Sequence, residues 1–95
     1  MNITKATHKA LLYKLFNENG VPKTFPLEKL MIASSAVKKL SEDTEILADG
    51  VMKFNDGEVE FTADEWVLLK DQFKAKTTGT IVEAESIEEL KEVLK

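Results

Sequence analysis

His8 is the one imidazole in this chain, and no cysteine accompanies it. That pair of facts removes most metal and nucleophile chemistry at the outset. A structural or catalytic zinc site draws on several His or Cys ligands, which one histidine does not supply. A nucleophilic serine needs a base held beside it on a sharp turn, and Ser34, Ser35, Ser41 and Ser86 lie in no such elbow motif. His8, close to a predicted helix start, reads as a surface residue. The acids fail the calcium test as well. Counting from Asp49, the third, fifth and sixth loop positions are Val51, Lys53 and Phe54, where an EF-hand needs oxygen ligands and then glycine. Gly20, Gly50, Gly57 and Gly79 are isolated, so no phosphate-cradling loop is present. Paired carboxylates for glycoside chemistry need a cleft of defined width, and sequence spacing defines none. The reading is therefore of a non-enzyme without cofactor, metal or small-molecule substrate.

What remains is charge. Seventeen acids against thirteen lysines leave a net charge of −4. Residues 1–41 sum to +5 and residues 42–65 to −8. Asp56, Glu58 and Glu60 fall in the acidic stretch and are the candidate partner-binding residues, offering an acidic surface to a basic partner. All the basic residues are lysine, and the absence of arginine argues against sequence-specific nucleic-acid recognition. Lys5, Lys9 and Lys14 lie near one side of the first predicted helix and read as a solvated face.

The elements that position these acids centre on VMKFNDGEVEFTADEWVLLKDQF, residues 51–73. Asp56-Gly57 is a type I′ turn signal. A two-residue turn there pairs Asn55 with Glu58, Phe54 with Val59, Lys53 with Glu60 and Met52 with Phe61. Met52, Phe54, Val59 and Phe61 then share an apolar face of a 51–61 hairpin. Thr62 and Glu65 have capping-box spacing, and Phe61 and Trp66 that of a hydrophobic staple. Trp66, Leu69 and Phe73 continue the helix at its own period.

Upstream, residues 1–6 are expected to fray. Thr4 or Thr7 is the expected cap of a helix running to about Asn17 on Leu11, Leu12, Leu15 and Phe16, with Gly20 just past its end. Val21 to Phe25 reads as a connector, and Pro26 as the first position of a second helix. Its stripe is Leu27, Leu30, Met31, Ser34 and Val37, broadened by Ala33, Ala36 and Leu40. Asp49-Gly50 is a second turn signal. It would join a strand over 45–48 to the hairpin, with Leu47 opposite Met52 but Glu45 opposite Phe54. Downstream, 80–84 is β-prone around Ile81 and Val82 and reads as an edge strand. Ser86 and Glu89 repeat the capping-box spacing before a last helix on Ile87, Leu90 and Leu94.

Ninety-five residues, 43% of them hydrophobic, make one small α+β domain over 1–95, with helices packed on one face of a short antiparallel sheet that contains the 51–61 hairpin. No run of about 18 apolar residues exists, so no membrane span is expected. Without an N-terminal apolar signal core the location read is cytoplasmic. The segments KALLYKLFNENG, FPLEKL and DGEVEFTADEWVLL resemble, over roughly residues 8–73, short accessory proteins of tailed bacteriophages. In those chains a Leu-rich helix, a second helix, a hairpin and a capped helix follow in order. FTADEW departs from the family's usual leucine, the tail from Thr77 has no counterpart, and no binding residue carries over. The resemblance implies a viral or mobile-element protein, in the host cytoplasm, acting through protein contacts. Two functions follow: a non-catalytic interaction protein, structural or regulatory and self-associating or partner-binding, or an acidic nucleic-acid-mimicking inhibitor of a host nucleic-acid enzyme.

Overall fold

The computed structural model describes residues 1–18 and 21–95. Four helices carry the core: α1 (Ala6–Leu15), α2 (Leu27–Ser41), α3 (Ala63–Ala75) and α4 (Ala84–Val93). Each contributes a side chain wholly removed from solvent, Leu12, Ala36, Leu69 and Leu90 in turn. The class is α+β, as the sequence implied. The strands, however, do not form one sheet under the helices. Among the described residues they make three separate antiparallel pairs: β1 (Asn2–Ile3) with β6 (Val59–Glu60), β2 (Asn17–Glu18) with β3 (Val21–Pro22), and β4 (Thr44–Ile46) with β5 (Met52–Phe54). The helices pack chiefly on one another, with α1 against the other three.

The 51–61 hairpin is not formed. β5 pairs with β4 through the Asp49-Gly50 turn, while β6 pairs with the chain start, Asn2 opposite Glu60 and Ile3 opposite Val59. The reason lies in what residues 55–58 meet. The Gly57 N–H donates to the Thr4 carbonyl at 2.9 Å, and the Phe61 N–H donates to the Met1 carbonyl at 2.9 Å. Buried Ile3 joins Phe61 in the core. A 51–61 hairpin would forfeit those bonds and that burial. The N-terminal residues expected to fray are thereby held in place. Phe61 is in the core and Val59 packs on it, whereas Phe54 is half-buried with its ring 5.6 Å from that of Tyr13.

The β4–β5 hairpin also departs from the expected register by one residue. Leu47 and Val51 close a loop of Ala48, Asp49 and Gly50, with the Leu47 N–H donating to the Val51 carbonyl. Gly50 takes the left-handed conformation, φ 82°, that three-residue hairpin loops require. The extra residue sets Glu45 opposite Lys53 and Ile46 opposite Met52, so opposite charges face each other across the ladder.

Helix α3 begins as its sequence dictates. The Glu65 N–H donates to Thr62 Oγ1, and Glu65 Oε1 accepts from the Thr62 N–H at 2.8 Å. The rings of Phe61 and Trp66 pack tilted, 6.2 Å between centroids, completing the staple. At the chain's end the expected edge strand is absent: Ile81–Glu83 is a single 3-10 turn leading into α4. The capping box there is Thr80 with Glu83, not Ser86 with Glu89. A cap at Thr80 starts helical backbone six residues sooner than Ser86 would, and overrides the β preference of Ile81 and Val82. Pro26 sits one residue before α2. The expected helix-ending role of Gly20 lies outside the described residues, and Val21–Pro22 is a strand rather than a plain connector.

Candidate functional site

The three acids singled out by sequence are exposed, but two have work inside the molecule. Asp56 Oδ1 accepts from the Ala6 N–H at 2.8 Å, at the first turn of α1. That helix has no side-chain cap of its own: its N-cap position is Lys5, not Thr4 or Thr7. A carboxylate there satisfies an orphan donor and suits the positive end of the helix. Glu58 accepts from Asn2 Nδ2. Glu60 lies in β6, exposed, with no side-chain partner among the described residues. Asp56 and Glu58 therefore tie the N-terminal segment to the body of the protein, whereas the Glu60 side chain does not.

Next to this junction Lys9 is 1% exposed, its ammonium donating to the Asn55 carbonyl at 2.7 Å. The solvated lysine face read from the sequence is thus broken at its centre. Lys5 and Lys14 do stay exposed. His8 is buried as well, correcting its reading as a surface residue. Its Nε2 lies 3.2 Å from Glu89 Oε2 of α4, and the Lys5 ammonium reaches the same oxygen at 2.7 Å. The Lys5 ammonium holds the Glu89 carboxyl below the usual carboxylate range, against the opposing effect of partial burial. These contacts tie Lys5 and His8 at the start of α1 to α4. Glu92 lines the same open cleft as His8 and Glu89, and among the described residues no three His or carboxylate side chains converge as a metal site.

Large apolar side chains stand in solvent at two places above all: the 3-10 turn, where Ile81 and Val82 are 95% and 91% exposed, and α2. Its buried side is Ala33, Ala36 and Leu40, with Ile32 and Val37 half-buried. Leu27, Leu30 and Met31, read from the sequence as the core stripe, face solvent instead; Leu27 is 85% and Met31 78% exposed. The correction has a steric cause. The small side chains of Ala33 and Ala36 let α1 and α3 approach α2 closely, which bulkier Leu and Met would prevent. The surplus was visible in the sequence, because apolar residues occupy more of this helix's circumference than one buried stripe uses. Leu30 also lines an open groove of about 470 Å³ shared with Tyr13, Phe25, Val37, Lys23 and Lys38. Among the described residues lining it, the charged ones are lysines. Phe16 forms its floor, with its ring 5.8 Å from that of Phe25.

An apolar helix stripe beside a groove lined by Lys23 and Lys38 can bind a chain segment. Among the described residues no helix is long and apolar enough to cross a membrane. No family model, curated protein or solved structure matches the chain.

Proposed function

We propose that this is a non-catalytic protein–protein interaction protein, structural or regulatory in role, which makes its contact through the exposed side of α2. The observation that carries the reading is the exposure of Leu27 and Met31, one turn apart, on a helix whose opposite side already supplies the core. Leaving such a stripe in water forgoes burial worth roughly 1.5–3 kcal/mol per large side chain, and contiguous exposed apolar surface marks interaction sites. The resemblance to accessory proteins of tailed phages supports a viral or mobile-element setting for this role, in the cytoplasm of the host. The alternative, mimicry of nucleic acid by Asp56, Glu58 and Glu60, draws less support, since Asp56 and Glu58 are engaged with Ala6 and Asn2.

A photo-reactive side chain at position 31 tests the reading in cells that carry the gene. A discrete cross-linked adduct is expected from position 31 and none from Thr78, in the loop after α3. Equal, diffuse labelling from both positions overturns the proposal.

A further inference from the structure

The groove beside α2 has a counterpart on the same chain. The β4–β5 hairpin carries Ile46, Leu47 and Val51 exposed at its tip, 69% exposed in the case of Ile46. Acids surround them: Glu45 and Asp49 on the hairpin, and Glu42 and Asp43 just before it, all exposed. None of these residues lines the groove of its own chain. We infer that the occupant of the α2 groove is the β4–β5 hairpin of a second copy, so that the protein self-associates head to tail. This rests on the reading of α2 as the contact surface and names its partner.

Three observations carry it. The apolar tip matches the apolar wall of Tyr13, Phe25 and Leu30, and the acids of the hairpin match Lys23 and Lys38. Of the nine acids of residues 42–65, Glu42, Asp43, Glu45 and Asp49 lie at or beside the hairpin, against Lys53 alone of opposite sign there, and so complement the groove lysines between two copies. The hairpin is also preformed. Gly50 and the Leu47–Val51 pair close its loop, and Asp49 Oδ1 accepts from the Val51 N–H at 3.1 Å. A segment already ordered loses little conformational freedom on docking. Because the two surfaces differ, the contact is heterologous: each copy keeps one groove and one hairpin to offer.

That asymmetry supplies the test. Sedimentation of the full chain from roughly 10 µM to roughly 1 mM should show mass rising with concentration. The rise should weaken as salt goes from about 0.05 M to about 0.5 M. A groove variant, Leu30→Ser with Lys38→Glu, and a hairpin variant, Glu45→Lys with Ile46→Ser, should each associate at least tenfold more weakly. Mixed together they should form a dimer that grows no further, since one intact groove meets one intact hairpin. Lys38→Glu alone, at an exposed site, serves if the double variant misfolds. Wild type that stays monomeric throughout overturns the inference, as do variants that associate normally or fail to complement each other. A monomeric wild type whose position-31 probe still traps a different protein overturns the self-association and leaves α2 as the contact surface.

Discussion

The chain contains the dipeptide Asp-Gly twice, seven residues apart, and uses it in two different ways. Asp49-Gly50 closes a hairpin between adjacent strands, with nothing within 4 Å of where a Gly50 side chain would start. Asp56-Gly57 makes no hairpin. Asp56 caps α1 from fifty residues away, and Gly57, at φ 153°, binds Thr4 beneath the Lys9 ammonium and beside Asp43. The local turn signal is the same. The difference is that the second has a better offer from elsewhere: two backbone bonds, a cap and the burial of Ile3. The same contrast separates two helix starts, since α3 is capped by its own Thr62 and Glu65 whereas α1 borrows Asp56.

The sharpest way to break this comparison is Gly57→Ala. A Cβ there meets an unfavourable backbone angle, with Asp43 Oδ2 at 3.4 Å and Lys9 Nζ at 3.8 Å in ordinary contact, so that any shift to relieve the angle disturbs the junction. A loss of about 2–3 kcal/mol is expected, read as a fall of roughly 10 °C or more in Tm. An unchanged melt would mean that the second Asp-Gly is no junction. Glu65→Gln comes next and probes the self-made cap. Burial alone would raise the Glu65 carboxyl, but the Lys39 ammonium, the Ser35 hydroxyl and the Thr62 N–H outweigh it and hold it at about 2, below its ordinary 4.5. The folded value is the lower one, so the stability contributed by the carboxylate is complete above pH 4.5 and disappears as pH falls towards 2. The gap between wild type and Glu65→Gln, about 2 kcal/mol at neutral pH, should close over that window in denaturant titrations. A pH-independent gap would show that the ionised form is not what matters.

Gly50→Ala isolates backbone strain without crowding, and should cost about 1–1.5 kcal/mol with no effect on α1 amide exchange. Asp56→Ala should cost about 1 kcal/mol and raise exchange at the first turn of α1. Its coupling to Ala6→Pro makes the comparison quantitative. Proline is tolerated at a first helical position, and Lys5 before it is already extended, at φ −79° and ψ 135°. Removing the Ala6 N–H leaves Asp56 nothing to cap, so the two losses should fall short of additive by about 1 kcal/mol.

Much of the fold was legible where the interaction is short in sequence. The Thr62–Glu65 box, the Phe61–Trp66 staple and the apolar face of α4 are all written within a turn or two of helix. The same rule explains the displaced cap and the missing strand over 80–84: Thr80–Glu83 is as local as Ser86–Glu89, and its box turns Ile81–Glu83 into helical backbone. The candidate site was less legible. Leu27, Leu30 and Met31 have the right spacing for a core, and so do Ala33, Ala36 and Leu40. Periodicity identifies both sides of α2 as apolar but does not rank them.

By itself, then, the sequence determined the α+β class, the approximate extents of the four helices, the cap of α3 and the absence of cysteine and arginine chemistry. Tertiary structure decided which side of α2 enters the core, where β5 and β6 find partners, and that Asp56 serves α1. The physical reason is reach. A cap or a turn is chosen among a few neighbouring atoms, whereas burial and strand pairing are chosen among every surface the folded chain brings near.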